Sequence, residues 1–297
     1  MPLRNLIPVA SCVLLATRLM LPGQGVFKDL RLPMEYYPDG TVKSELTARE
    51  AVVDANGTIH ATDLRIRFFS EDGTLETLME AASGTGHRDA QHATSDSALS
   101  LTHAELHLTG VGFTWHADRQ YVHIHSEAKL RFAHAALAAD RIGNTPGRHA
   151  GKPDEHTVIT SREMTFAYEA GNVWFIGEVT LVNNAIAVQS ETLLVRLDAK
   201  GDIERAEAAG AVSIRQDDRR GYCDSALYTF PDGQIVMRGF EDPARPRPAR
   251  LMLGVDTLSG NTIRIYTDRE KVVCIPGKLV IFRDENPEST ASNTLEP

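Results

Sequence analysis

The residues of this 297-residue chain that could do chemistry are chiefly its eleven histidines. His123-Ile124-His125 is the sharpest pair, because residues i and i+2 of a strand point to the same side. A metal site would also need a carboxylate a few residues on and a distant third histidine. Glu127 comes too soon for that, and nothing in the spacing fixes the geometry of His103, His107 or His116. Val122, Ile124, Leu130 and Phe132 alternate with the pair and claim the inner face, so the histidines are expected on the solvated face. There is no Gly-x-Ser-x-Gly and no glycine-rich loop opening a helix, which argues against acyl hydrolysis and phosphate-loop chemistry. No catalytic residue, metal or cofactor is expected. Asp217-Asp218-Arg219-Arg220 reads as a solvated turn of mixed sign. Arg245, Arg247 and Arg250 fall in a proline-rich loop, solvated or, alternatively, in contact with lipid phosphates.

Composition narrows the classes. The chain is 42% hydrophobic and can build a core, but only 6% aromatic, which disfavours a large aromatic sugar-binding platform. A formal charge of −9 with scattered cations is not the footprint of a nucleic-acid binder. Residues 1–25 differ from the rest. Arg4 precedes a mostly apolar run from Leu6 to Leu21, and Gly23-Gln24-Gly25 supplies small residues before a cleavage at Val26. This is a signal peptide or an uncleaved membrane anchor, although the run is shorter than the roughly 20 residues of a comfortable span. Lipidation at Cys12 of Val9-Ala10-Ser11-Cys12 is a third route. Each route exports the protein. Cys223 and Cys274 remain, as a disulfide permitted by an oxidising compartment or as two buried thiols.

The elements that must position these residues are strands. In Val173-Trp174-Phe175-Ile176-Gly177-Glu178-Val179-Thr180-Leu181, Val173, Phe175, Val179 and Leu181 share one face with Gly177. Ala208-Ala209-Gly210-Ala211-Val212-Ser213-Ile214 repeats the phrase, Val236-Met237-Arg238-Gly239-Phe240 echoes it, and Leu108–Phe113 is a looser copy. A unit of roughly 30 residues returning in register predicts stacked, similar β-elements. A glycine at a fixed place in each predicts a bend or a close backbone approach. Pro38-Asp39-Gly40, Ala55-Asn56-Gly57 and Glu71-Asp72-Gly73 mark tight turns. Residues 83–97 are polar and read as a long loop. Residues 133–142 could form a short Ala-rich helix. The Gly- and Pro-rich stretch that follows places a linker at 134–157, between strand-rich regions at 33–133 and 158–282. The tail 283–297 is polar and expected to be disordered. Short alternating strands without a long helix predict an all-β fold of antiparallel sheets.

The second region resembles the OstA-like domain of the lipopolysaccharide-transport periplasmic proteins, LptA type. The residues that carry the likeness are Ile159-Thr160-Ser161 through Phe166 and Phe175-Ile176-Gly177-Glu178-Val179. Val188-Gln189-Ser190 with Leu193, Gly210-Ala211-Val212, Ala226-Leu227-Tyr228 and Ile235-Val236-Met237-Arg238-Gly239 follow in the family's order. The first region looks like the LptC type, through Tyr37-Pro38-Asp39-Gly40, Gly110-Val111-Gly112-Phe113-Thr114-Trp115 and the strand from Tyr121 to Phe132. The fusion of both types in one chain departs from the usual separate proteins.

The resemblance implies an open-ended antiparallel β-jellyroll, here two stacked jellyroll regions, whose interior groove holds the acyl chains of lipopolysaccharide. It implies a periplasmic protein, free or tethered to the inner membrane by its N-terminal segment. Its partners would be lipopolysaccharide or a related lipid, other Lpt-type jellyroll proteins and an inner-membrane ABC transporter, with edge-to-edge homo-oligomers as a further option. The candidate groove residues are Phe166, Tyr168, Val173, Phe175, Val179, Leu181, Leu193, Val195, Val212, Ile214, Tyr228, Ile235, Met237, Ile263 and Ile265. Burial is worth about 0.8 kcal/mol per methylene, so exposing a twelve-carbon chain to water costs roughly 9 kcal/mol. A continuous apolar lining meets that need without any catalytic group. Two other readings stand beside it. One is an envelope adaptor whose sheet edges dock partners and whose interior is filled. The other is a cupin-like metalloenzyme using His123 and His125.

Overall fold

The computed structural model describes residues 25–280, apart from 88–91, 104–105, 117–118, 134–155, 183–185, 199–202, 217, 241–246 and 267–270. The leader with Cys12, the Ala-rich stretch after 133, most of the expected linker and the tail thus lie outside the described residues. Every regular element described is a β-strand. The chain divides into two compact units, Met1–Ser97 and Ala98–Pro297.

The first unit contains β1 (Gly25–Tyr36), β2 (Val42–Val53), β3 (Thr58–Phe69) and β4 (Leu75–His87), paired antiparallel in that order. Its three tight turns share one device. The side chains of Asp39, Asn56 and Asp72 accept the backbone N–H of Thr41, Thr58 and Thr74 at 2.9–3.0 Å. Asp72 also accepts from the Ser70 hydroxyl, and these bonds hold its carboxyl down at about 2. Residues 83–97 are not a long loop: strand runs to His87 and resumes at His92 as β5 (His92–His103). Hydroxyl groups make this polar stretch a strand. Ser97 Oγ accepts from Ser83 N and donates to Ser83 O, and Thr94 Oγ1 donates to Thr85 O. β2 runs unbroken from Val42 to Val53.

The second unit is a ladder of antiparallel rungs. Its members are β6 (Leu106–His116), β7 (Tyr121–Ala133), β8 (His156–Ser161), β9 (Glu163–Ala167), β10 (Asn172–Val182), β11 (Ala187–Leu197), β12 (Ile203–Gln216), β13 (Arg219–Thr229), β14 (Gln234–Arg238), β15 (Ala249–Leu253), β16 (Asp256–Tyr266) and β17 (Lys271–Val280). β8 and β9 form one rung, interrupted at Arg162, between β7 and β10. β14 and β15 likewise form one rung between β13 and β16. The ladder is continuous across the interval 134–157, because Ala128–Ala133 of β7 pair with His156–Ser161 of β8.

The rungs bend at one height, and the repeating glycines sit there. Between β10 and β11 the register shifts after Ile176, and between β11, β12 and β13 it shifts at Gln189/Thr192 and Ala209/Val212. Gly177 and Glu178 take φ of +80° and +53°, and Gly210 and Ala211 take +81° and +47°. Left-handed backbone bends each strand while letting the pairing resume on the far side. Gly210 is doubly constrained, since a Cβ there would lie 2.6 Å from Glu191 Cβ. Gly210→Ala is therefore expected to lower stability by about 1–2 kcal/mol, and Ala211→Gly, which relaxes a strained alanine, to lower it not at all. Denaturant midpoints of the two variants check this, and an undiminished Gly210→Ala would remove the corner from the account.

Candidate functional site

The cross-strand register lines the inner face of the second unit with rows of apolar side chains. One row is Phe113, Ile124, Met164, Phe175, Leu193, Ala208, Ala226, Met237, Ile263 and Cys274, each paired with the next. A parallel row runs from Val122 through Phe166, Val173, Val195, Ala206, Tyr228, Ile235 and Ile265 to Val272. Beyond the bend a third row runs from Leu130 through Ile159, Leu181, Val188, Ile214 and Gly221 to Leu251, Leu258 and Leu279. Fourteen of the candidate groove residues fall on these rows or, for Val179 and Val212, on the inward positions at the bend. Tyr168 follows directly after β9, in edge contact with Phe166 at 6.4 Å between ring centroids.

Burial is uneven along the rows. Phe166, Val173, Phe175, Val179, Leu193, Val195, Val212, Ile235, Met237 and Ile263 are buried, whereas Tyr168, Leu181, Ile214, Tyr228 and Ile265 are half-buried. The early rungs are filled by large groups, with Phe113, Ile124, Met164 and Phe175 all at 0% exposure. At β12 and β13 the rows alternate small and large groups, with Ala206, Ala208, Ala226 and Gly221 beside Ile214 and Tyr228. At β17 they emerge: Val272 is 39% and Leu279 59% exposed. β17 pairs with β16 along one edge, and Ile275 at 52% exposure lies on the same last rung.

The outer face carries His123 and His125, whereas His103 lies 6.1 Å from the buried Phe166 ring. His123 Nδ1 is 2.9 Å from Thr165 Oγ1, His125 Nε2 is 2.8 Å from Thr114 Oγ1, and the two rings lie 5.5 Å apart. Glu163 Oε2 stands 3.7 Å from His123 Nε2. Burial, followed by the neighbouring His125, pushes the His123 pKa down, while Glu163 opposes the shift. Threonines thus occupy ring nitrogens that a metal would need. Among the described residues no group of three or more His, Cys, Asp or Glu side chains is arranged to hold a metal ion.

Cys223 and Cys274 are free thiols. Burial above all pushes the Cys223 thiol up to about 12, and Cys274 is raised less, with its Sγ 3.3 Å from Ser259 O. At pH 8 only about one Cys223 in ten thousand is thiolate, the reactive form. An alkylating reagent applied to the native protein is expected to modify Cys274 well before Cys223; mass mapping showing the reverse order would contradict the burial of β13.

Two surface features escape sequence reading because they depend on register. Glu45 of β2, 1% exposed, pairs with Arg31 and with Arg67 at 3.4 Å. A cavity of about 450 Å³ beside it is lined by Arg31, Arg49, Arg65, Arg67, Asp29 and Asp63. Its cations are matched by acids, with Arg49 on Asp63 and Arg65 on Glu80, both at 2.9 Å. A second cavity, of about 380 Å³, lies in the second unit against Tyr222, Phe240, Arg247 and Arg250.

A ladder of bent antiparallel rungs with apolar inner rows, left unclosed at β17, is an open β-jellyroll of the LptA type. Residues 158–271 match the family described as LptA/(LptD N-terminal domain) LPS transport protein. Among solved structures, a match is the crystal structure of LptH, the LptA homologous periplasmic component of the conserved lipopolysaccharide transport device from Pseudomonas aeruginosa. It is 14% identical, with a TM-score of 0.38, and the match covers 43% of this chain and 95% of that one. No curated protein sequence matches this chain.

Proposed function

We propose that the protein is a periplasmic lipopolysaccharide-binding transport protein that carries acyl chains along its apolar inner rows and bridges the inner and outer membranes. The observation that carries this reading is a coincidence of residues. The stretch matched by the LPS transport family, 158–271, builds the inner rows from Ile159 to Ile265, and the rung that follows it, β17, brings them out. LptC-like character of residues 33–133 and tethering through the N-terminal segment belong to the same proposal. So does docking of Lpt-type partners, an ABC transporter's periplasmic face or a second copy at the sheet edge. An unpaired strand edge with exposed apolar side chains supports such docking, because its free N–H and C=O groups can extend the sheet.

The tight filling of the early rungs favours one competing reading, an adaptor with a solid core that works through its edges alone. Photo-crosslinking decides between them. A photoreactive residue at Phe175 or Tyr228 is expected to form adducts with lipopolysaccharide, and no adduct from any inward position would sink the groove. Val179→Asp is expected to reduce lipid adducts strongly and Glu178→Ala hardly at all, since Val179 is buried and Glu178 exposed. A burial penalty of several kcal/mol for an unpaired carboxylate sets that contrast. Circular dichroism on the Asp variant separates loss of lipid from loss of fold, and equal adduct yields from the two variants would overturn the face assignment.

A further inference from the structure

The cavity of about 380 Å³ on the second unit is lined by Tyr222, Asp224, Phe240, Arg247, Arg250 and Met252 among others. It lies at the bend, where Ala211, of left-handed φ, borders it. Its cations are held in place by the backbone. Phe240 and Arg247 close a two-way bridge, with Phe240 N donating to Arg247 O at 2.8 Å and Arg247 N donating to Phe240 O at 3.1 Å. That bridge holds the Arg247 guanidinium 5.1 Å from the centre of the Phe240 ring. Tyr222 and Arg250 are direct cross-strand partners, which sets an aromatic ring beside a second guanidinium. Tyr222 is 43% and Phe240 38% exposed, so both rings remain available at the cavity wall.

Charge distinguishes this cavity from the one in the first unit. There the arginines meet acids; here, among the described lining residues, Asp224 is the only acid against Arg247 and Arg250. Exposed Arg215 and Arg220, which pair with each other, and exposed Lys278 extend the positive face on β12, β13 and β17. Two guanidiniums against one carboxylate give the described lining a positive balance on a chain of charge −9.

We infer that this cavity is a binding site for a phosphorylated saccharide, the headgroup of the lipid proposed above as cargo; the assignment of source rests on that reading. Guanidinium groups recognise phosphoryl oxygens through paired charge-assisted hydrogen bonds. The rings of Tyr222 and Phe240 cover the apolar face of a pyranose, and the Asp224 carboxylate accepts from its hydroxyls. The combination fits a sugar phosphate better than a bare anion, which would leave the rings unused, or a neutral sugar, which would leave the arginines unused.

Titration of the full chain with glucosamine 1-phosphate, inorganic phosphate and glucosamine, followed calorimetrically, tests the site. The sugar phosphate is expected to bind about tenfold more tightly than either fragment, and about tenfold more tightly to the wild type than to Arg247→Ala/Arg250→Ala. Equal affinity for inorganic phosphate, or an unweakened double variant, would overturn the assignment. A fluorescent dodecanoic acid reports the apolar interior separately, and its binding is expected to be the same in wild type and double variant. Failure of that probe to bind the wild type defeats the transport reading and leaves the sugar-phosphate result standing. Detergent-dispersed acylated glucosamine disaccharide, with and without its phosphate, identifies the source. The double variant is expected to weaken the phosphorylated form alone, and equal weakening of both, or no binding of the acylated form, would reject a lipid headgroup.

Discussion

Backbone hydrogen bonding carried through a corner is the constraint on which the second unit depends. Each rung must turn at the height where its neighbours turn, because a bend in one strand alone would break the ladder on both sides. The left-handed pairs Gly177-Glu178 and Gly210-Ala211 make that turn, and a break at Arg162 and the excursion after Gly239 do the same for the two-piece rungs. Arg162 N donating to Gly177 O at 2.9 Å shows the pairing continuing across the gap. Inner rows on both sides of the corner exist because this register is kept.

From that constraint the interior follows. Period-two alternation supplies inward apolar positions, the shared bend brings two arms of each rung around one space, and the side chains set how full that space is. Phenylalanine, methionine and isoleucine fill it near β7 to β10, and at β12 and β13 alanine and glycine alternate with Ile214 and Tyr228. The cost of exposing an acyl chain to water, about 0.8 kcal/mol per methylene, is the force such an interior would relieve.

Much of this was legible in the sequence. Val173, Phe175, Val179 and Leu181 could be assigned to one face because alternation is a local signal, and the spaced glycines marked the bend because few residues tolerate its φ. His123 and His125 fell on the outer face for the same reason that Ile124 fell on the inner one. What was hidden depended on partners distant in sequence. Residues 83–97 looked like loop because serine and threonine have weak strand signals, yet their hydroxyls close bonds between Ser83 and Ser97 that no local pattern reveals. Nothing local marks Glu45 as buried; the register puts Arg31 and Arg67 beside it. Arg247 and Arg250 read as a proline-rich segment, solvated or in contact with lipid phosphates, and only the bridge to Phe240 and the pairing with Tyr222 show them built into a cavity wall. Exposure at β17 was equally unreadable, since it depends on which strand comes last.

The nearest-neighbour pairing of the rungs has a consequence for reach. Among the described residues each rung of the second unit hydrogen-bonds only to the rungs on either side of it, so the length of the stack is a count. Each hairpin gained or lost changes it by about 9.6 Å, two inter-strand spacings, without disturbing the rungs elsewhere. A protein built this way behaves as a molecular ruler graduated in hairpins, and duplication of a segment of roughly 30 residues is enough to recalibrate it.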